Sequence, residues 1–205
     1  MEAKRAITIV AGVSGSGKST FALRYLVNAP LAVRFVFDPD GEYAERLDIE
    51  PARDGWALGL AACRGWVLFD PHEIFPGRCD DAFSFFCDWV QQMAERIPGQ
   101  KILVVEEAWK YVSTRRHPTE LEACVRGGRH QGLDCLFSTQ TPGQLHETIR
   151  NECTELVCFC LQDDKSLDFP KAKGLDPEEI ANLPDLHFIA RNLRTRAELR
   201  GKLKI

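Results

Sequence analysis

The chain has 205 residues, 44% of them hydrophobic and 27% charged, and a formal net charge of -4. These ordinary globular values suit one α/β domain spanning residues 1–205. The negative net charge excludes a protein coated in positive charge, so any contact with nucleic acid has to be local. We expect a cytoplasmic protein, because no apolar run approaches the ~20 residues needed to cross a bilayer and Met1–Arg5 leaves no room for a signal peptide.

The eight cysteines show neither a C-x-x-C pair nor a matching histidine spacing. Cys135, Cys158 and Cys160 fall in apolar, strand-like runs, where a thiol behaves as a small hydrophobic side chain. Because we also expect a reducing compartment, we predict neither structural zinc nor structural disulfides.

A phosphate-binding pattern follows the apolar run Ile7–Ala11. The sequence fits G-x-x-x-x-G-K-[ST], in which glycines let backbone N–H groups turn inward around phosphate oxygens. A helix beginning near Lys18 adds the partial positive charge of its N-terminus. We expect Lys18 to reach the β- and γ-phosphates of ATP, and the Ser19 hydroxyl to bind Mg²⁺. The predicted nucleotide-binding residues are Gly12, Ser14, Gly15, Ser16, Gly17, Lys18, Ser19 and Thr20.

Strand-like and helix-like segments alternate along the chain, which is typical of a mostly parallel sheet covered by helices on both faces. Further strands are predicted at 33–38, 66–70, 101–107, 133–139 and 155–161. Helices are predicted near 43–47, 56–62, 80–97 and 118–131, in a short segment through Ile149, and from a cap at Asp176. The runs 187–191 and 197–203 predict a terminal antiparallel pair of strands.

Polar residues follow two of the predicted strands, at the edge where α/β sheets bind ligands. Glu106 and Glu107 come directly after an apolar run, and Mg²⁺-dependent hydrolysis needs one carboxylate beside the metal and one that polarises water. We assign Glu106 to Mg²⁺ and Glu107 to the general base. The alternative is that both only solvate a strand end. Gln140, in S-T-Q-T-P, is placed to contact the γ-phosphate or the attacking water.

The phosphate loop, the acidic pair, the arginine-rich helix and the S-T-Q-T-P strand tip together resemble the FtsK–HerA superfamily of DNA-pumping ATPases. Residues 126–133 resemble the arginine-containing helix that leads to that family's sensor strand. The resemblance covers roughly residues 6–161. The small size is similar to the genome-packaging ATPases of internal-membrane icosahedral viruses rather than to cellular FtsK or HerA. Glu106 departs from the family, which commonly has Asp there.

This resemblance implies a RecA-like P-loop NTPase fold, with the sensor strand between the phosphate-loop strand and the acidic strand. It also implies a motor that translocates double-stranded DNA into a viral capsid. Such a motor is a hexameric ring with ATP at the subunit boundaries, and a capsid or membrane-vertex protein is a further expected partner. The implied catalytic residues are Glu107, Gln140 and Arg129. Arg129 would act in trans on the neighbouring subunit's ATP, and Arg126 and Arg150 are its alternatives.

Two other functions remain open from the sequence. A small-molecule kinase also uses a phosphate loop, although the acidic pair and S-T-Q-T-P argue against it. A nucleotide-gated assembly protein similar to the filamentous-phage extrusion factors shares the motifs, but those proteins usually carry a membrane segment. The basic segments 110–130 and 191–204 are candidates for DNA contact, with solvated surface or a subunit contact as the alternative.

Overall fold

The strands coincide closely with the predicted apolar runs. In the computed structural model, which describes residues 5–114 and 116–204, they are β1 (Ile7–Ala11), β2 (Val33–Phe37), β3 (Trp66–Phe69), β4 (Lys101–Val105), β5 (Leu133–Thr139), β6 (Glu155–Cys158), β7 (His187–Asn192) and β8 (Glu198–Lys202). Every residue of β4 and β5 is buried, as expected of central strands covered on both faces.

Helices connect most of the strands. They are α1 (Lys18–Asn28), α2 (Glu42–Leu47), α3 (Gly55–Cys63), α4 (Cys79–Arg96), α5 (Thr119–Glu122), α6 (Glu147–Glu152), α7 (Asp164–Ala172) and α8 (Pro177–Ala181). No helix within the described ranges, 5–114 and 116–204, is both long enough and apolar enough to cross a bilayer.

The eight strands form one sheet in the order β3-β2-β4-β5-β1-β6-β7-β8. β2 pairs in parallel with β3 and β4, β1 pairs in parallel with β6, and β7 is antiparallel to both β6 and β8. The predicted α/β class is therefore confirmed, including the terminal antiparallel strands. The position of β5 between β4 and β1 also matches the order that the family resemblance implied.

The chain divides into two compact units, and the first contains Arg5 and residues 26–106 and 117–135. Its core is aromatic, because phenylalanine side chains of α4 pack against those of the neighbouring strands. The ring of Phe83 lies 5.2 Å from that of Phe37, and the ring of Phe86 stacks on Phe69 at 5.1 Å. An amphipathic helix thus covers one face of β2 and β3.

The second unit contains the described residues of 6–25, 107–116 and 136–205. A smaller aromatic cluster links α1 to β7, with the ring of Phe188 lying 5.3 Å from Phe21 and 5.6 Å from Phe159. Main-chain bonds fix where the loop leaves β1: the N–H of Gly12 donates to the carbonyl of Thr139, and that of Val13 to the carbonyl of Cys160. These bonds place the phosphate loop beside the ends of two other strands.

Two local features differ from the sequence-based prediction. The helix expected over 118–131 is only briefly α-helical and continues as a π-helical turn at Ala123–Gly127 and a 3-10 turn at Gly128–Gln131. Adjacent Gly127 and Gly128 explain the change, since glycine weakens a regular helix and short irregular turns are common near helix ends. The sequence-based prediction also missed α7, which is capped by the side chain of Asp163.

Candidate active site

The phosphate loop has a backbone that only glycine accommodates at two of its positions. Gly17 has φ of +112°, a conformation that other residues rarely adopt. A Cβ added at Gly12 would lie 2.5 Å from Ser16 Oγ and 2.7 Å from Phe159 Cβ. The motif glycines are therefore required by the geometry of the loop, which supports the prediction made from their spacing.

The loop also offers a buried donor that fits an anionic ligand. Ser16 is 5% exposed, and its Oγ has no hydrogen-bond partner among the described residues. An unpaired buried hydroxyl costs free energy unless a ligand or water satisfies it. Ser14 and Gly15 are exposed at the tip of the loop, and Ser19 and Thr20 lie in the first turn of α1. This arrangement suits a phosphate chain held against a helix N-terminus.

Lys18 is the buried cation of the loop, with a side chain only 6% exposed. Its Nζ donates to the carbonyl oxygens of Gly12 at 2.9 Å and Val13 at 3.1 Å. It also lies 3.7 Å from Oε1 of Glu107. The ammonium group is therefore held over the loop by neutral acceptors and one carboxylate.

Glu107 is the centre of a network of polar contacts in the second unit. Its backbone is left-handed, with φ of 43°, a conformation that costs a non-glycine residue about 1–2 kcal/mol. Its N–H donates to Ser138 Oγ at 3.3 Å. Its carboxylate accepts from Trp109 Nε1 at 2.6 Å, and Gln140 Nε2 lies 3.3 Å from both of its oxygens. A strained backbone anchored in this way is typical of a functional side chain.

Gln140 is fixed from behind by the chain that follows it. Ser166 Oγ donates to the carbonyl of Gln140 at 3.2 Å, and the N–H of Thr141 donates to Thr139 Oγ1 at 3.1 Å. The residues at the end of β5 are therefore hydrogen-bonded both to each other and to α7. These bonds give the Gln140 amide a defined direction toward Glu107.

Glu106 belongs to the first unit, where it accepts a hydrogen bond from the Tyr43 hydroxyl. Tyr43 is 1% exposed, and its burial, together with the charge of Glu106, raises its pKa well above the ordinary value. The hydroxyl therefore stays protonated and remains a donor. The backbone N–H groups of Tyr43 and Ala44 donate to the Asp38 carboxylate. Glu106 is thus a positioned carboxylate, and its predicted role at Mg²⁺ stays a prediction.

The predicted arginine finger lies in the first unit. The backbone of Arg129 is part of the 3-10 turn Gly128–Gln131, while its side chain lies outside the described part of the structure. The two alternatives already have partners in their own chain. Arg126 pairs with Glu122 one helical turn earlier, and Arg150 Nε donates to the carbonyl of Leu145 at 2.9 Å.

The basic C-terminal segment is partly neutralised by its own acidic neighbours. Arg200 makes two bonds to the Glu179 carboxylate, at 2.6 and 2.7 Å, and this pairing raises the pKa of Arg200. Arg191 pairs with Glu198. Besides Arg200, which is bound to Glu179, the exposed basic residues of this segment are Arg194, Arg196, Lys202 and Lys204. In the other basic segment, 110–130, Arg115 lies outside the described residues, and Arg116 Nη1 donates to the carbonyl of Lys110.

Sequence reasoning missed three contributors to the site. Trp109 donates to Glu107, and Tyr43 donates to Glu106. Leu203, near the end of the chain, lies 3.0 Å from where a Cβ on Gly17 would sit. The sequence signals were slight, since Trp109 follows Glu107 by two positions and Tyr43 lies in the first turn of α2.

All eight cysteines are free thiols, and five of them are buried. Burial raises the pKa of Cys135 and of Cys153 to about 12. Thiols with so high a pKa are almost entirely protonated at neutral pH and therefore unreactive. Within residues 5–114 and 116–204 there is no cluster of three or more His, Cys, Asp or Glu side chains suited to a metal ion.

No model of a known protein family matches the sequence, and no curated protein matches it significantly. Solved structures share its fold. The genome-packaging NTPase B204 of Sulfolobus turreted icosahedral virus 2, in complex with AMPPCP, matches with a TM-score of 0.76 at 17% identity, over 98% of each chain. The bacterial conjugative coupling protein TrwBdeltaN70 matches with a TM-score of 0.70 at 14% identity, over 100% of this chain and 89% of that chain.

A third similar structure is the N-terminal domain of zonular occludens toxin from Neisseria meningitidis. It matches with a TM-score of 0.51 at 14% identity, over 98% of this chain and 96% of that chain. At such low identities the likeness establishes the fold. The chain therefore has a P-loop NTPase fold along nearly its full length, as the motifs predicted.

Proposed function

We propose that this chain is a single-domain ATPase that hydrolyses ATP and uses the energy to translocate double-stranded DNA, packaging a viral genome into a capsid. The observation that carries the proposal is the convergence of Lys18, Glu107 and Gln140 at the phosphate loop. A phosphate-binding cation, a carboxylate base and a water-orienting amide are the groups that ATP hydrolysis requires. The fold shared with a viral genome-packaging NTPase supports DNA as the cargo.

Each group has a defined task in the proposed reaction. The N–H groups of the loop and Lys18 bind the β- and γ-phosphates, which requires Lys18 to leave the Gly12 and Val13 carbonyls. Glu107 accepts a proton from water, whose oxygen attacks the γ-phosphorus while the bond to the β,γ-bridging oxygen breaks. ADP and phosphate are the products. Gln140 orients the attacking water, since its amide already points at the base.

Magnesium is part of the proposal as an ion bound together with ATP. The Ser19 hydroxyl, in the first turn of α1, and the Glu106 carboxylate are the oxygen ligands that would hold it. When bound, Mg²⁺ supplies charge neutralisation at the phosphates. The Tyr43 hydrogen bond would then orient a metal-side carboxylate, the usual effect of a partner behind a ligand.

The direct test is the ATPase rate of the purified protein with and without duplex DNA, measured together with its mass in solution. We expect stimulation by duplex DNA and a ring-sized assembly, since the motor proposal places ATP at subunit boundaries. No stimulation, from a protein that stays monomeric under all conditions, would favour the small-molecule kinase instead.

Glu107→Gln is expected to slow hydrolysis roughly 10²-fold or more at unchanged ATP affinity, the loss that removing a general base produces. The substitution preserves the shape of the side chain, while it removes the charge and replaces one acceptor oxygen with a donor NH₂ group. The measurement is single-turnover hydrolysis beside the dissociation constant for ATP.

Glu106→Gln is the matched control, since it makes the same chemical change at the neighbouring carboxylate. It is expected to raise the Mg²⁺ concentration needed for activity rather than to lower the rate at saturating Mg²⁺. If Glu106→Gln proves the slower enzyme at saturating Mg²⁺, the two roles are reversed.

Exposed basic residues of the C-terminal segment 191–204 are the proposed DNA contacts. Replacing Arg194, Arg196, Lys202 and Lys204 with Gln is expected to flatten the salt dependence of DNA binding. Each lost phosphate contact lowers the slope by about one. The matched control removes the same charge from four exposed basic residues elsewhere, Arg64, Arg96, Lys165 and Lys171.

A second variant, with Gln at positions 115 and 116, tests the other predicted patch. An unchanged salt slope for both sets would remove both patches from consideration as DNA contacts. An equal effect of the control set would show that only total charge matters.

A further inference from the structure

The carboxylate of Glu107 receives its shortest hydrogen bond from an indole. Trp109 Nε1 donates to Oε2 at 2.6 Å, whereas Gln140 Nε2 lies 3.3 Å from each carboxylate oxygen. Building on the proposed ATPase function, we propose that Trp109 is a positioning residue, whose indole N–H holds one oxygen of Glu107 so that the other faces the attacking water.

The local backbone makes this bond possible. Glu107 turns left-handed, and the 3-10 turn Ala108–Lys110 begins directly after it. The indole N–H thereby returns to the carboxylate of a residue only two positions earlier in the chain. Trp109 is 40% exposed, so filling the core does not explain its position. The hydrogen bond to Glu107 is the specific interaction that the side chain makes here.

The contacts of the two carboxylate oxygens differ. Oε2 is bound by Trp109, while Oε1 lies 3.7 Å from Lys18 Nζ. When Lys18 moves to the phosphates of ATP, Oε1 loses this cation and becomes the oxygen with room to accept a proton. Trp109 makes no contact with the phosphates in this scheme and stays bound to Oε2. The indole of Trp109 therefore keeps the Glu107 carboxylate oriented after Lys18 has moved away from it.

The first test is Trp109→Phe, which keeps an aromatic ring and removes the N–H. A hydrogen bond from a positioned donor to a charged group has an effect of about tenfold or more on a rate. We therefore expect kcat to fall about tenfold with KM for ATP unchanged. Trp56→Phe is the matched control, because Trp56 is 78% exposed on α3 and makes no part of the site. Equal kcat values for the two variants would overturn the proposal.

A double-mutant cycle separates positioning from a general structural effect. If Trp109 acts through Glu107, then Trp109→Phe should change the residual rate of the Glu107→Gln enzyme by less than about twofold, since interacting residues are not additive. An additional tenfold loss in that background would show that Trp109 acts elsewhere, and the positioning role would be wrong.

Fluorescence gives a readout that does not depend on turnover. The chain has four tryptophans, and adding AMPPCP with Mg²⁺ is expected to change the emission of the wild type and of Trp56→Phe. The change should be lost in Trp109→Phe, because Lys18 leaves the carboxylate that Trp109 contacts. A full change in Trp109→Phe would contradict the proposal. A wild type that hydrolyses no ATP overturns the proposed function itself, whereas an active wild type with unaffected Trp109→Phe overturns only the role of Trp109.

Discussion

Lys18→Ala is expected to abolish productive ATP binding. The Lys18 side chain is 6% exposed, and its ammonium group donates to the Gly12 and Val13 carbonyls of the loop. A cation held this far from water interacts strongly with an arriving phosphate chain, because the local dielectric is low. Alanine removes that charge, so that the loop itself offers the phosphates only backbone N–H groups and the Ser16 hydroxyl.

Ligand-dependent stability measures this loss directly. A ligand present at 100 times its dissociation constant stabilises the folded state by about 2.7 kcal/mol. We expect Mg²⁺ and AMPPCP to raise the melting temperature of the wild type and to leave that of Lys18→Ala unchanged. Lys165→Ala is the matched control, because Lys165 is an exposed lysine outside the loop.

The folded state of the variant needs its own measurement, since Lys18 also bonds two carbonyls of the loop. Its circular dichroism and its melting temperature without nucleotide show whether the chain still folds. Near-normal turnover by a folded Lys18→Ala protein would overturn the assignment of this loop as the phosphate site.

The position of the loop between β1 and α1 was predictable, because its residue types are forced by local geometry. Gly17 has a backbone that other residues avoid, and a Cβ on Gly12 would overlap Ser16. Constraints of that kind leave a signature in consecutive residues. The strands were predictable for the same reason, since burial on both faces produces continuous apolar runs such as 101–105.

The contacts that position the carboxylates left no such signature. Tyr43 reaches Glu106 across 63 positions of the sequence, and that pairing depends on tertiary packing alone. Trp109 lies close in sequence to Glu107, but its contact depends on the left-handed backbone of Glu107, a conformation that glutamate seldom adopts. The role of Ser138 as acceptor for the Glu107 N–H likewise follows from how the chain folds around the site.

Helix α7 shows a different limit. Its sequence contains Pro170, and proline usually interrupts a helix. Here the proline lies in the last turn, where fewer intrahelical bonds remain to be lost. The Asp163 side chain caps the start of the helix by accepting from the Ser166 N–H. The resulting helix supports the site, because Ser166 Oγ binds the carbonyl of Gln140.

Arg129→Ala is expected to reduce the ATPase rate of an assembled ring by roughly 10³- to 10⁵-fold, the contribution of an arginine finger. The transition state spreads negative charge over the γ-phosphate oxygens, and an arginine from the next subunit neutralises what Lys18 leaves. Arg129 is preferred because its place before the sensor strand is the one that the family resemblance implies. The alternatives, Arg126 and Arg150, bind Glu122 and the Leu145 carbonyl in their own chain.

Subunit mixing distinguishes a finger in trans from a residue that acts within its own subunit. Inactive Arg129→Ala and inactive Lys18→Ala proteins are combined, so that mixed rings contain interfaces with an intact loop facing an intact arginine. Recovery of ATPase activity is the expected result. The control replaces the second protein with the double variant Lys18→Ala/Arg129→Ala, which supplies no intact arginine and should restore nothing. If the rings are shown to be mixed and no activity is recovered, Arg129 acts within its own subunit or has only a structural role. In that case Arg129 would not make hydrolysis dependent on ring assembly.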